Sequence, residues 1–285
     1  MKIFSTTEGI AREGADGMLE ILELGEVDPG SMLQDDPDLE KIRDAAVRRR
    51  VALEEVELCA PIARPGKIIC IGINYGSHVE EMKPVFERLG VETPSNPVFF
   101  IVPGSAVNAP NKPIVLPDFA HDQVDYEVEL AVIIGRGGSR IPAAEAMDHV
   151  AGYTLANDVS ARDIQQKAMA GQEFTLTHAK GLDGFKPLGP ALVTKDEFED
   201  PIDIHLETRV NGELRQDART NDFVHSIPTC IEYVSRYMRL DPGDVMLTGS
   251  PSGVGFFRGI FLKAGDVVEL TADRIGTLRN PITDG

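Results

Sequence analysis

Asp125-Tyr-Glu-Val-Glu-Leu-Ala-Val-Ile-Ile134 is an apolar run headed by two glutamates, Glu127 and Glu129, two residues apart. Such a stretch predicts a strand, and side chains at i and i+2 of a strand point to the same face. The spacing aims both carboxylates one way, on the order of 7 Å apart at the backbone. Tyr126, Val128 and Leu130 take the other face. Two convergent carboxylates either repel each other in water or share a cation. A hard, oxygen-seeking ion such as Mg2+, Mn2+ or Ca2+ is the natural partner. Taken alone, the pattern more often marks the solvated face of a strand, so the rest of the chain decides.

Further strands are predicted at 67–72, 98–102 and 152–157, with late ones at 244–247 and 266–271. Asn211-Gly212, between Leu206-Glu-Thr-Arg-Val210 and Glu213-Leu-Arg, signals a hairpin. Helices are expected after Ser77, where Pro84 either ends the helix or is passed through, from Ile141-Pro142 to Val150, and after Ser226. Ahead of these, Asp36-Pro37-Asp38 opens a helical spacing of Leu39, Ile42, Ala45-Ala46 and Val51. Val56, Leu58 and Ala60 then alternate like a short strand, and Pro61 with Pro65-Gly66 punctuates a boundary. Many short strands, few helices and no β-α-β rhythm predict an α+β fold, predominantly β. Residues 1–62 form a small N-terminal domain and 63–285 the main one.

The formal net charge of −18 argues against nucleic acid and anionic membranes as partners. The one basic cluster, Arg48-Arg49-Arg50, is flanked by acids. Three cysteines, Cys59, Cys70 and Cys230, give neither a disulfide framework nor a zinc spacing. With no signal-peptide core and no long apolar span, a cytoplasmic protein is expected. Walker, G-x-G-x-x-G, H-E-x-x-H and G-x-S-x-G motifs are absent from the sequence.

Several stretches then match one pattern in order: Ile71-Gly-Ile-Asn-Tyr-Gly-Ser-His78-Val-Glu-Glu81, Asp125-Tyr-Glu-Val-Glu-Leu, Asn157-Asp-Val-Ser-Ala-Arg-Asp163, His178-Ala-Lys180, Val210-Asn-Gly-Glu213, Leu247-Thr-Gly-Ser-Pro-Ser-Gly-Val-Gly255 and Ile275-Gly-Thr-Leu-Arg-Asn-Pro281. Over roughly residues 63–285 the chain resembles the fumarylacetoacetate hydrolase family, close to its bacterial acylpyruvase and 2-hydroxyhepta-2,4-diene-1,7-dioate isomerase-like branch. The resemblance implies a mixed β-sandwich roll with peripheral helices, a short N-terminal extension and a homodimer. It implies a Mg2+ or Mn2+ site, with Ca2+ as a further option, held by Glu127, Glu129 and Asp158. It makes His78 and Glu81 a dyad on a lid helix, with Glu81 orienting the imidazole and the imidazole taking a proton from water. It gives Lys180 a charge-neutralising role, Gln165 a hydrogen bond to the reacting carbonyl, and Ser250 one to a substrate carboxylate. Arg162 is either a fork for a substrate carboxylate or the partner of Asp163 or another acid.

The implied substrate is a small 2-oxo or 2,4-dioxo acid. The implied reaction is hydrolysis of a carbon–carbon bond, with isomerisation or hydration of unsaturated 2-oxo diacids, decarboxylation, or a non-catalytic metal-binding module as alternatives. Two further expectations concern particular residues. Glu127 and Glu129 should both carry raised pKa values if buried together without a metal. Ile73 stands where the small-acid branch usually has Arg, which leaves room for a larger or less charged acyl tail.

Overall fold

The run at 125–134 folds as the strand Val128–Ile134, with every residue buried. It is covered on both sides, which is why it reads as nearly continuous apolar sequence. Val128, Leu130, Val132 and Ile134 enter one core cluster, and Ala131 and Ile133 enter another. The computed structural model describes residues 1–26, 28–172 and 175–285. Among them, no helix is long and apolar enough to cross a membrane.

This strand is near the middle of a large mixed sheet. Its neighbours are Val150–Asn157 on one side and Val245–Leu247 on the other, both antiparallel. Beyond Val245–Leu247 come Ile68–Gly72, parallel to it, and the edge strand Val98–Val102. Beyond Val150–Asn157 comes Lys186–Thr194. The leading segment continues the same sheet, because Lys2–Thr6 pairs with Lys186–Thr194 and is followed by Gly9–Glu13, Leu19–Leu22 and Val47–Val51. A second sheet of five strands is ordered Glu213–Arg219, His205–Val210, Val267–Ala272, Gly276–Asp284 and Ile114–Leu116. Leu206, Val268, Leu270, Leu278 and Ile282 of this sheet share a core with Val128, Leu130 and Leu155 of the first. Leu33, Leu39 and Ile42 of the leading segment cover the other face of the large sheet.

Several local expectations hold. Asn211 and Gly212 take φ of 52° and 80° and close the hairpin between 205–210 and 213–219, as two positive φ values in a type I′ turn require. The Ser226 side chain caps the helix Ile227–Ser235. Others change. Leu39 has φ 57° and only Glu40–Asp44 is helical; Val47–Val51 is an edge strand instead. Its arginines reach acids outside the strand, Arg49 pairing with Glu8 and Arg50 with Asp16. Ser77 lies inside the helix Gly76–Leu89, which runs through Pro84. Lys180 ends the short helix Thr177–Lys180.

Candidate active site

Strand register explains how the three acids converge. Val128 pairs with Asn157 and Glu129 with Ala156, so Glu127, just ahead of the strand, stands across from Asp158, just past its neighbour. The Asp158 N–H donates to the Glu127 carbonyl at 2.9 Å. Residues 127, 129 and 158 therefore share one sheet face, and one carboxylate oxygen from each lies within 4.8 Å of the others. All three residues are buried.

Cations and backbone donors surround them. Lys180 Nζ donates to Glu127 Oε2 at 2.6 Å and to Asp158 Oδ2 at 2.5 Å. Arg162 donates to Glu127 Oε1 at 2.5 Å, to Asp125 Oδ2 at 2.8 Å and to Gln165 Oε1 at 2.7 Å. The two readings of Arg162 thus resolve toward acids of the chain, Asp125 and Glu127, rather than Asp163. Glu129 accepts from the Gly249 N–H at 2.6 Å, which puts the glycine-rich stretch 248–255 against the acids.

The acids do not titrate alike. Burial and the nearby charges of Asp158 and Glu127 push Glu129 well up. Burial also opposes ionisation of Glu127, but Lys180 and Arg162 more than offset it and hold this carboxyl below the usual range. The expectation that both glutamates are raised therefore holds for Glu129 alone. The two cations respond in kind. Burial disfavours their charge, yet Asp158 and Glu127 raise Lys180, while Glu127 and Asp125 raise Arg162.

The donor set fits a divalent ion. It is all oxygen, as hard cations prefer, and Asp158 Oδ1 is buried without a hydrogen bond. That atom is 2.7 Å from Lys186 Nζ, an ion pair lacking hydrogen-bonding geometry. Glu127, Glu129 and Asp158 would hold the ion.

The same three acids line a cavity of about 230 Å3 together with His78, Arg162, Gln165, Lys180 and Ser250. Every site residue singled out from the sequence lines it except Glu81, which reaches it through His78. His78 and Glu81 sit three apart on the helix 76–89, and His78 Nδ1 is 2.9 Å from Glu81 Oε2. Glu81 Oε1 accepts from the Gly253 N–H at 3.1 Å, joining this helix to the glycine-rich stretch. A carboxylate can only accept, so Nδ1 carries the proton and Nε2 is left as the basic nitrogen. Ser250 Oγ accepts from Gln216 Nε2 at 2.8 Å, which leaves its own proton to donate. A larger cavity, about 530 Å3, opens beside Tyr153, Phe198 and Ile227. Among the described residues it shares no wall with the acid cluster, so chemistry favours the smaller one.

Sequence reasoning missed five supporting residues. Lys186 is fully buried and donates to the carbonyls of Phe185 and Val159 at 3.0 and 3.2 Å and to that of Lys180. The register Ala156 to Leu188, continued two residues, sets it beside Asp158. Asp125, also fully buried, accepts from the N–H groups of Gly255 and Phe256 at 2.7 and 3.0 Å. Gln216 ties the two sheets by accepting from the Val128 N–H at 3.0 Å. Asn74 bonds the backbone of His225 and Thr248. Asp222 accepts from the Ser77 N–H at 2.9 Å and so caps the helix of His78 from outside. Apart from the Lys186 bonds to Phe185 and Lys180, these partnerships join segments remote in sequence. Asp125 and Asn74 lie in the quoted stretches and so offered a signal; the other three did not. A second cluster, His205, Glu207 and Asp217, also went unread because its members lie on two strands; it is partly exposed and held by a 2.7 Å His205–Asp217 contact.

Ile73 lines the cavity with φ 56°. A β-branched residue in the left-handed region costs about 1–3 kcal/mol.

Comparison with known proteins agrees with this geometry. The chain is 46% identical over 229 residues to an oxaloacetate tautomerase, mitochondrial fahd2 of Xenopus laevis, covering 80% of this chain and 68% of that protein. It is 43% identical over 234 residues to the oxaloacetate tautomerase YisK of Bacillus subtilis, covering 81% and 74%. Among solved structures, 5-carboxymethyl-2-hydroxymuconate delta-isomerase from Mycobacterium smegmatis aligns over 100% of both chains at TM-score 0.77 and 36% identity. Fumarylacetoacetate hydrolase from Exiguobacterium antarcticum aligns over 100% of both at TM-score 0.80 and 34% identity. The profile described as fumarylacetoacetate (FAA) hydrolase C-terminal matches residues 67–283, and with the acid trio and the fold in place the chain belongs to the fumarylacetoacetate hydrolase family.

Proposed function

We propose that this chain is an enzyme moving a proton on the carbon beside the carbonyl of a 2-oxo acid, a keto–enol tautomerisation or the related double-bond isomerisation. The observation that carries this is the His78–Glu81 pair at 2.9 Å, opening onto the same cavity as the three acids. The relatives named as tautomerases and isomerases support proton transfer ahead of the other reactions open to the sequence.

A divalent ion bound by Glu127, Glu129 and Asp158 would act as a Lewis acid on the 2-oxo carbonyl and make the adjacent C–H more acidic. His78 Nε2 takes or returns the proton at that carbon. Glu81 holds the ring in the required tautomer and stabilises the imidazolium while the proton is on it. Lys180, held between Glu127 and Asp158, and Arg162, held between Asp125 and Glu127, offset the charge of these acids and so limit their repulsion of the enolate oxygen. Gln165, whose Oε1 is engaged by Arg162, offers its amide N–H to the substrate. Ser250 offers its hydroxyl proton to a carboxylate oxygen.

The test follows the loss of enol absorbance of oxaloacetate, and exchange of its C3 protons in deuterated buffer, with Mg2+ or Mn2+ present. His78→Ala is expected to lower kcat by about 10²- to 10⁴-fold with the fold intact. Turnover within a few-fold of wild type removes His78 from the mechanism. A second reading keeps the site and has His78 activate water against a 2,4-dioxo acid, giving a 2-oxo acid and a carboxylic acid. The resemblance to the Exiguobacterium hydrolase favours it, and release of pyruvate from an acylpyruvate would select it.

A further inference from the structure

We infer that the cavity selects a 2-oxo acid whose tail is uncharged and apolar, with Ile73 as the residue that sets this preference. The inference rests on the reaction proposed above and narrows its substrate.

Two observations carry it. First, the cavity away from the acids is walled by hydrocarbon. On the helix 76–89, Met82 and Phe86 follow His78 at steps of four and so lie along its face. Ile73 and Val98 line both this cavity and a small adjoining pocket, and Phe257 stands edge-on to the His78 ring with centroids 6.2 Å apart. Second, the lysine and arginine that line the cavity among the described residues are already committed. Lys180 is held between Glu127 and Asp158, and Arg162 between Asp125 and Glu127. A second substrate carboxylate, as in oxaloacetate, would meet an apolar wall with no uncommitted cation of that kind. Leaving a charge unpaired in such surroundings is strongly unfavourable.

Ile73 is the decisive position because the fold tolerates strain to present it. Its φ of 56° is one that β-branched residues avoid, and an outlier of this sort at a cavity points to a function for the side chain. An aryl or branched alkyl tail packs there, and a cation introduced there would invite a carboxylate instead.

The experiment compares phenylpyruvate with oxaloacetate. In wild type, kcat/KM for enol–keto conversion of phenylpyruvate is expected to exceed that for oxaloacetate by about 10²-fold. Ile73→Arg should invert the order, with at least a tenfold gain for oxaloacetate and a tenfold loss for phenylpyruvate. A wild-type preference for oxaloacetate that Ile73→Arg leaves unchanged overturns the inference while leaving the proton-transfer reading standing. Equilibrium binding to a His78→Ala chain separates the two if neither compound is turned over. Phenylpyruvate binding at least tenfold more tightly than oxaloacetate upholds the tail preference although the proposed reaction has failed; equal or reversed affinities overturn it.

Discussion

At the scale of single residues, the acid cluster is governed by where its counter-charges sit. Lys186 is the most buried of them, with its ammonium surrounded by three carbonyls and Asp158. Lys186→Met leaves these acceptors unsatisfied in the interior, and the expected loss is about 3–5 kcal/mol, measured by urea denaturation. Glu129 is different, because burial and its two acidic neighbours disfavour its charge and a bound divalent cation would relieve that. Added Mn2+ at a hundred times its Kd should stabilise the chain by about 2.7 kcal/mol, read as a rise in Tm, and Glu129→Gln should abolish most of the rise. Strand spacing made Glu127 and Glu129 legible in the sequence, and the family resemblance picked out Asp158, His78 and Glu81. The supports were not, because Lys186, Gln216 and Asp222 act through pairings that only the folded register creates. The divergence of the two glutamate pKa values was illegible for the same reason: it depends on which of them Lys180 and Arg162 reach.

At the scale of elements, the helix 76–89 carries His78, Glu81 and two apolar cavity residues, so its attachment matters. Its N-terminus has no cap from its own preceding residue. Asp222 supplies one from a distant segment, and it approaches so closely that a Cβ on Gly76 would lie 2.7 Å from its Oδ1. Asp222→Ala removes one cap, at a cost of about 1 kcal/mol. Because the helix start frays while the acid cluster is untouched, KM should rise several-fold with Mn2+ affinity unchanged, as steady-state kinetics and calorimetry would show. Sequence periodicity located this helix and left its passage through Pro84 open. It misplaced the N-cap, since Ser77 has the right residue type but lies two residues past the cap position, Tyr75. The segment after Asp36 failed for a tertiary reason. Helical spacing at 39–51 was overridden by pairing of Val47–Val51 with Leu19–Leu22.

At the scale of the whole molecule, the chain's first residues and the strands beside the acid cluster belong to one sheet, and the fold is held by contacts between segments remote in sequence. One of these is readable as a pH effect. Lys67, ahead of Ile68–Gly72, is 2.5 Å from Asp244, ahead of the parallel strand Val245–Leu247, and 3.1 Å from Asp241. Burial opposes its charge, but hydrogen bonds to these two acids win and raise its pKa. With the folded value above the unfolded one, the stabilisation is complete below the unfolded value of about 10.4 and disappears as pH rises through the folded value. Wild type should therefore keep its Tm advantage over Lys67→Met undiminished near neutrality and lose it as the pH is raised beyond the unfolded value of about 10.4. The α+β class, rich in strands, was legible from the alternation of short apolar runs and turn residues. The pairing of the first strand with residues 186–194 was not, since nothing local specifies so distant a neighbour.

The antiparallel pairing of 128–134 with 150–157 also sets which changes of length the gene can absorb. The connection between these strands, residues 135–149, buries Ile141 and Ala146, but a change of length at its exposed positions 144–145 leaves the pairing frame alone. One codon gained or lost between Glu129 and the middle of its strand would rotate the glutamates into the hydrocarbon interior. Insertions and deletions among homologues should therefore collect in that connection and spare the strands, and a library of single-codon insertions would map the same boundary.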